Sequence, residues 1–279
     1  MSSLYVTTAE ATDWPTGLDL QNLIPDGTSA QEVAQLGVIL QAASSYVEQI
    51  TLQPLYAQTT TETAQVRPQS DGTLLVRARR FPLATVTAVR WRQGSFDVWH
   101  APAIANIQVV PPHSYVLDDL NYGAYGQLAT QPLTVVTQYV SGYPNAVLTA
   151  PVAAGGTSLQ VDDATGIVGA STAGALAVPG TALVLYDAAT QAQETVAVQS
   201  VSGSTVTLTA GTQYAHAAGV RASALPPAVS TATIYLAAWM IKERRAGGGT
   251  LMGGQVLPAN GGVDLQMAEE LLRPFRRVI

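Results

Sequence analysis

The chain has 279 residues, a formal net charge of −6, no cysteine and only 11% charged residues. Disulfides, thiolate catalysis and cysteine metal sites are therefore excluded. No apolar run reaches the roughly 20 residues of a membrane span, and the first residues lack the basic segment and apolar block of a secretory signal. Because charged residues usually make up about a quarter of a globular protein, we expect much of the surface to face other subunits.

Charge is distributed unevenly along the chain. Residues 1–62 carry seven acids and no base, whereas residues 63–145 carry six arginines and four acids. Residues 146–224 carry four acids and one arginine, and residues 225–279 carry six bases and four acids. Acidic and basic faces on one chain suit head-to-tail packing of like subunits, although solvated faces explain the same pattern as well.

The first strong element is a helix predicted for residues 29–50, after a shorter candidate near Leu18 to Leu23. Ser29 is the predicted N-cap, and Glu32 completes a capping box three residues later. Apolar residues then recur at helical spacing, namely Val33, Leu36, Leu40, Ala43, Val47 and Ile50. Pro54 ends this helix.

Short strands are predicted between this helix and residue 145. Period-two alternation covers 57–66 and 74–79, with a tight turn at Asp71-Gly72. A turn at Pro82 leads into a strand through Trp91. Further strands are predicted at 104–110, 115–117 and 133–144.

Residues 146–224 change character. Lysine is absent there, and β-branched residues alternate with polar ones in the segments TSLQVDD, ALVLYDA, ETVAVQSV and STVTLTA. Turns about every ten residues predict a small β-sandwich or barrel. Tyr143-Pro144 and Pro226-Pro227 flank this segment, which predicts an inserted domain whose two ends lie close together.

The clearest helix of the chain is predicted for Leu225 to Arg245. Prolines are tolerated in its first turn, and Gly247 to Gly249 terminate it. An apolar face is predicted for Val229, Ala232, Thr233, Leu236, Ala237 and Met240. Lys242, Arg244 and Arg245 lie at the carbonyl end, where the helix dipole favours positive charge.

The chain ends with a glycine-rich loop and a short helix. Residues 247–262 contain seven glycines, so we expect a loop that is mobile or that orders against a partner. Asp264 is predicted to cap a helix that runs through Arg273, and Pro274 breaks it. A basic tail follows.

The sequence offers little catalytic chemistry. His100, His113 and His216 are isolated from one another, so a zinc site is disfavoured. Asp118-Asp119 and Asp162-Asp163 are adjacent pairs, and neighbours on a strand point to opposite faces. Each pair is therefore interpreted as part of a turn. No nucleophile elbow and no P-loop with its lysine is present, so we predict no enzyme activity, metal or cofactor.

One arginine-rich segment has the residue types of a nucleic-acid-binding surface. Its arginines lie beside Phe81 and Trp91 and are Arg77, Arg79, Arg80, Arg90 and Arg92. Basic strands with aromatic residues can bind single strands. The chain's pI of 4.9 argues against a dedicated nucleic-acid binder.

Joined across the predicted insertion, TVVTQYVSGYP and ALPPAVSTATIYLAAWMIKERR resemble a signature of the head–tail connector proteins of tailed phages. In that family a strand ending in Y-x-x-G-Y/F precedes a proline-led helix with alanines and a terminal arginine. Other segments resemble the family in the same order: SAQEVAQLGVILQAASSYVEQITLQPLY its first helix, RRFPLATVTAVRW its R-x-P strand, YVLDDLNYGAY the following segment and LLRPFRRV its basic tail. The resemblance covers about 1–145 and 225–279, and the segment 146–224 resembles a β-module of phage structural proteins.

The resemblance implies an α+β adaptor in a ring, with twelve copies expected, between the portal and a tail-side stopper or tail-terminator protein. Double-stranded DNA would pass through the ring, and the protein would reside in the virion neck after synthesis in the host cytoplasm. The tail residues implied to bind the portal are Leu272, Arg273, Phe275, Arg276 and Arg277. The ring or core helix would present Val229, Thr233, Leu236, Met240, Arg244 and Arg245.

Two alternatives remain open from the sequence. One is a head-completion or tail-terminator ring, for which a β-rich chain without strong helices is expected. The other is a β-module that binds carbohydrate or a cell surface, for which exposed aromatic residues within 146–224 are expected.

Overall fold

A computed structural model provides the fold of the chain. The residues it describes are 4–12, 30–69, 73–94, 98–103, 107–110, 113–117, 132–170, 180–245 and 263–277. The predicted helix near Leu18, the capping residue Ser29, the Asp71-Gly72 turn, the Asp118-Asp119 pair and the loop 247–262 lie outside these residues. The fold is α+β, as predicted, since the described residues form four α-helices and three antiparallel sheets.

Four helices form the helical core. They are α1 (Thr8–Thr12), α2 (Ala30–Thr51), α3 (Pro227–Arg245) and α4 (Val263–Leu272), and a 3-10 turn, Arg273–Phe275, follows α4. The predictions for α2 and α3 are confirmed to within two residues. Asp264 is the second residue of α4 and therefore is not its N-cap, and its carboxylate instead accepts a hydrogen bond from Lys242 Nζ on α3 (2.6 Å).

The prediction of one apolar face on α3 was too narrow. Ile234, Ala238, Trp239 and Ile241 are buried as well as the predicted residues. α3 packs against α2 and α4, and its cluster also includes Tyr5 and Val6 from the start of the chain. A helix surrounded by neighbours is hydrophobic on most of its circumference.

Two three-stranded sheets form the middle of the chain. Their strands are β1 (Gln58–Val66), β2 (Leu74–Arg77), β3 (Leu83–Gln93), β4 (Ile107–Val110), β5 (Ser114–Leu117) and β6 (Leu133–Ser141). One sheet has the order β1-β6-β3 and the other β2-β5-β4. Both contribute to one hydrophobic cluster that includes Leu74, Trp91 and Tyr115.

The third sheet, here called the barrel, lies between residues 145 and 223. Its strands are β7 (Asn145–Val147), β8 (Ser158–Gln160), β9 (Ala182–Asp187), β10 (Ala192–Ser202), β11 (Thr205–Leu208) and β12 (Arg221–Ser223), in the order β7-β12-β9-β10-β11-β8. An antiparallel bridge between Leu148 and Val161 joins the two edges, so the sheet closes on itself. Fourteen buried residues fill it. The strands β7 and β12 were missed; they form by pairing with each other and, for β12, with β9, across long separations in sequence.

Candidate partner interface at a junction of four chain segments

Four segments that are distant in sequence meet where the helical core joins the sheet β1-β6-β3. The main chain of Tyr143 donates to Leu55 O (2.7 Å) and accepts from Ala57 N (2.8 Å). Next to it, Gly142 N donates to Pro82 O (2.8 Å). The segment between α2 and β1, the turn before β3 and the residues after β6 are therefore held together by main-chain hydrogen bonds. We call this place the junction, defined by Gln53, Tyr56, Pro82, Gly142, Tyr143 and Phe275.

Gly142 is required at the junction for two reasons. Its φ of +99° lies in the region that side chains disfavour. A Cβ built on it would also clash with the carbonyl of Tyr56. The glycine of the Y-x-x-G-Y motif thus permits the close main-chain approach on which the junction depends.

Gln53 brings the fourth segment to the junction. Its side chain is 3% exposed; Oε1 accepts from Phe81 N (3.3 Å) and Nε2 donates to Phe275 O (3.2 Å). The ring of Phe275 meets that of Tyr143 edge-on, with centroids 6.5 Å apart. One amide therefore links α2, the turn before β3 and the carboxyl-terminal segment.

The predicted portal-binding residues divide into two groups. Leu272 is fully buried in the helical core and Phe275 is half-buried against Tyr143, so both hold the tail in place. Arg277 N donates to Thr51 O (2.9 Å), which fixes the tail against the end of α2. The side chains of Arg273 and Arg276 are exposed. Of the predicted set, these two arginines are the ones presented to solvent on an anchored backbone.

The residues predicted for the ring or core helix belong to the core. Val229, Thr233, Leu236 and Met240 are buried, and Thr233 Oγ1 donates to Val229 O (2.8 Å). Their side chains are unavailable for contacts between copies. Arg244 and Arg245 lie in the last turn of α3, and their side chains lie outside the described residues.

A buried arginine joins the barrel to the helical core. Arg221, on β12, donates from Nε to Glu10 Oε1 (2.8 Å), from Nη1 to Tyr5 O (2.6 Å) and from Nη2 to Ser230 Oγ (3.1 Å). Both charged side chains are at most 10% exposed. A buried charge is tolerated when it is paired and hydrogen-bonded, so this cluster fixes the first described residues, α3 and the barrel relative to one another.

A second polar group lies beneath α2. The hydroxyl of Tyr5 accepts from Leu55 N (2.8 Å) and donates to Glu48 Oε1 (3.3 Å). Burial raises the pKa of Glu48, and the Tyr5 hydroxyl and Arg80 partly offset this rise. Burial also raises the pKa of Tyr5 well above its ordinary value, so Tyr5 remains a neutral donor.

The structure does not place the arginines of the arginine-rich segment beside an accessible Trp91. Trp91 is 8% exposed and stacks on His100, so it cannot stack on a base. The guanidinium groups of Arg90 and Arg92 instead lie 4.9 and 4.6 Å from the ring centroid of Trp99. These arginines are engaged in cation–π contacts.

The remaining candidate groups have structural partners. Asp162 Oδ1 accepts from Val147 N and Asp163 Oδ1 accepts from Thr165 N, which confirms that this pair belongs to a turn. His216 is buried and pairs with Glu194. In the described part of the chain, no three His, Asp or Glu side chains form a group able to hold a metal ion. No described helix is both long and apolar enough to cross a bilayer.

Sequence reasoning missed three important residues: Gln53, Glu10 and Arg221. Gln53 lies between the helix end and Pro54, where a polar residue gives no signal of burial. Glu10 and Arg221 are 211 residues apart, so no local pattern connects them. The one available signal is Arg221 itself, the only basic residue between 146 and 224.

Two solved structures align with nearly the whole chain. A chain in the neck of an empty gene transfer agent particle, computed with C6 symmetry, is 16% identical, with 100% of this chain and 94% of that chain covered and a TM-score of 0.41. A chain in the virion of a native gene transfer agent particle is 15% identical, with 96% and 92% covered and a TM-score of 0.38. No family model matches the sequence, and no curated protein matches it. Likeness of this extent assigns neither a function nor a ring symmetry.

Proposed function

We propose that the protein is a non-enzymatic head–tail adaptor of a tailed-phage-like particle. Copies of it, twelve by the family resemblance, form a ring between the portal and a tail-side stopper or tail-terminator protein. The ring belongs to the virion neck and surrounds the path of double-stranded DNA. The two long helices α2 and α3 favour this role over a tail terminator, for which a β-rich chain without strong helices is expected.

The junction is the observation that carries this proposal. The four segments that resemble the connector family are TLQPLY, RRFP, SGYP and LLRPF, and each supplies a residue of the junction. Separate weak motifs have no reason to converge in space by chance. Their convergence supports the view that they form one functional unit, which positions the carboxyl-terminal tail.

The tail is the proposed contact with the portal. Arg273 and Arg276 project from a backbone anchored by Leu272 and by the Arg277–Thr51 hydrogen bond. Arginine forms bidentate, charge-assisted bonds to carboxylates, so the partner surface on the portal would be acidic. Leu272 and Phe275 support the tail from within the core.

We also propose that 146–224 is a domain inserted into the adaptor. β7 and β12 lie at the two ends of this segment and pair with each other, Asn145 opposite Ser223 and Val147 opposite Arg221. Ala224 N donates to Pro144 O (2.9 Å) at the same place. Entry and exit are thus adjacent, as an insertion requires.

The experiment is negative-stain electron microscopy of the full chain, alone and mixed with its cognate portal. The wild-type protein should add a tier of density to portal particles. The double variant Arg273→Glu/Arg276→Glu should lose this tier while its far-UV circular dichroism is unchanged, because both side chains are exposed. The matched control, Arg67→Glu/Arg77→Glu, makes the same change of charge at two other exposed arginines, both outside the junction segments, and should retain the tier.

Each part of the proposal can fail separately. Absence of any tier with the wild-type protein would overturn the adaptor role. A tier that survives Arg273→Glu/Arg276→Glu would keep the adaptor role and remove the tail from the contact. Loss of the tier in both double variants would show a general electrostatic attraction instead of a tail contact.

A further inference from the structure

The barrel carries an open cleft on its surface, away from the junction. Thr190, Gln191, Ala192 and Gln193 line one side, and Tyr214 and Ala215 line the other. Its volume is about 490 Å³ and it is broadly open to solvent, so it can contact one face of a ligand. Tyr214 is 42% exposed and belongs to the few large hydrophobic side chains exposed in the described part of the chain.

A buried histidine, His216, and a partly buried glutamate, Glu194, hold the Tyr214 side of the cleft. Glu194, on β10, accepts hydrogen bonds from Gln213 N (2.7 Å), Tyr214 N (3.1 Å) and His216 Nε2 (2.7 Å). The main chain of His216 also exchanges two 2.9 Å hydrogen bonds with that of Val152. Burying a carboxylate and an imidazole is costly unless they are paired, and here the pair fixes the segment that presents Tyr214.

The opposite side of the cleft is fixed as well. Gln191 adopts a positive φ of 56° at the tip of the β9–β10 hairpin. Its side chain donates to Ala188 O (3.0 Å) and accepts from the hydroxyl of Tyr186 (3.2 Å). Tyr186 in turn lies opposite Gln193 in the sheet. A site whose walls are already ordered loses little entropy when a ligand binds.

The lining chemistry selects a class of ligand. One exposed aromatic ring, two primary amides and two hydroxyls, those of Thr190 and Tyr214, line the cleft, and none of its lining residues is charged. Amides and hydroxyls both donate and accept hydrogen bonds, which matches neighbouring hydroxyl groups, and the face of an aromatic ring suits the C–H face of a sugar ring. Phosphate and carboxylate ligands would lack a cation to pair with. We propose that this cleft binds a neutral saccharide, with Tyr214 as the stacking surface and Gln193 and Thr190 as hydrogen-bonding groups.

The proposed saccharide site is independent of the adaptor role. The cleft lies wholly on the barrel, whereas the portal contact is assigned to Arg273 and Arg276. Portal binding and saccharide binding are measured separately, so failure of one leaves the other standing.

The test is a microarray of neutral and acidic oligosaccharides probed with the full-length chain, followed by calorimetry with the strongest neutral oligosaccharide and with its constituent monosaccharide. We expect neutral spots to bind. Tyr214→Ala should weaken the calorimetric affinity by about tenfold or more, and Tyr214→Phe should retain most of it because the ring remains. Tighter binding of the oligosaccharide than of the monosaccharide would indicate that the natural ligand is a polysaccharide chain. Equal affinity would indicate that the natural ligand is a free sugar.

Two glutamines on the same strand provide the matched control. Gln193→Ala removes a group that lines the cleft, whereas Gln199→Ala changes an exposed residue of β10 outside it. The first should weaken binding several-fold and the second should leave it unchanged. An array without bound neutral spots, exclusive binding to acidic sugars, or equal affinity of wild type and Tyr214→Ala would overturn the proposal.

Discussion

The barrel and the helical core are built in opposite ways. The barrel uses one continuous stretch of chain, and its strands β9, β10 and β11 pair with their neighbours in sequence. The helical core collects helices from both ends of the chain and ties them with single side chains. Gln53 reaches across 222 residues to Phe275, and Arg221 of the barrel joins Glu10 of the core across 211 residues. Local strand pairing should therefore stabilise the barrel. A few long-range side-chain hydrogen bonds should determine the stability of the core and its attachment to the barrel.

Arg221→Ala tests this contrast most strongly. It leaves the carboxylate of Glu10 buried without its cation and removes donors to Tyr5 O and Ser230. Breaking a buried pair in this way costs about 3–5 kcal/mol. Urea unfolding followed by circular dichroism should show this loss in the free energy of unfolding.

The control is the exposed pair near the other end of α3. Lys242→Ala breaks its contact with Asp264, in which the lysine side chain is 51% exposed, and should cost only about 0–1 kcal/mol. The double variant Arg221→Met/Glu10→Leu should recover part of the loss because no buried charge remains. Equal losses of unfolding free energy in Arg221→Ala and Lys242→Ala would show that the buried Arg221 cluster contributes no more to stability than an exposed ion pair.

Gly142→Ala tests the main-chain contact at the junction. The new Cβ meets the carbonyl of Tyr56, and the positive φ is strained for alanine, so we expect a loss of about 1–3 kcal/mol and weaker portal binding. Gly203 also has a positive φ but has open space around it. Gly203→Ala should cost about 1 kcal/mol from the backbone alone and leave portal binding intact. Comparable losses in both variants would mean that φ, and not the close approach at the junction, explains the need for glycine.

Gln53→Met tests the tether of the carboxyl-terminal tail. The substitution preserves the length of the side chain but leaves Phe81 N and Phe275 O without their partner, at a cost of about 1–3 kcal/mol. Amide hydrogen exchange at Arg277 should accelerate, because its bond to Thr51 O depends on the position of the tail. Gln49→Met, at an exposed site on α2, should change stability by less than about 0.5 kcal/mol and leave the Arg277 amide protected. An unchanged Arg277 amide in Gln53→Met would show that Gln53 does not hold the tail.

The same contrast explains how much the sequence predicted. Periodicity found α2, α3, β9 and β10 because each repeats its pattern over at least six residues. It missed β7 and β12, which form by pairing with each other and, for β12, with β9, and pairing between distant segments leaves no local pattern. It also underestimated the burial of α3, since the pattern shows that a residue is apolar but not how many neighbours surround the helix.

The candidate site was predicted only in part. The basic character of the tail identified Arg273 and Arg276, which the structure leaves exposed. Leu272 was assigned to the partner surface although it is fully buried, because a residue at the end of a short helix gives no sign of which way it faces. The sequence places Trp91 beside the arginines, but the antiparallel bridge between Trp91 and His100 brings Trp99 to Arg90 and Arg92, and no local pattern indicates this bridge.

The smallest expected effect is on the pH dependence of the free energy of unfolding. It is tested at one carboxylate in each region, Glu194 in the barrel and Glu48 in the core. In the barrel, burial raises the pKa of Glu194, but hydrogen bonds from Gln213, His216 and Tyr214 outweigh it and the pKa is lowered overall. Its ionised form therefore stabilises the protein above the ordinary glutamate value of about 4.3, and this contribution is lost as the pH falls through the lowered value. In the core, the pKa of Glu48 is raised mainly by burial, so ionised Glu48 costs stability at neutral pH and protonation removes that cost.

Glu194→Gln should consequently be less stable than wild type at pH 7, and Glu48→Gln slightly more stable. Both differences should shrink towards pH 3, as measured by urea unfolding at pH 7, 5 and 3. If both variants change the free energy of unfolding in the same direction at pH 7, ionisation of Glu194 and of Glu48 does not affect stability in opposite directions.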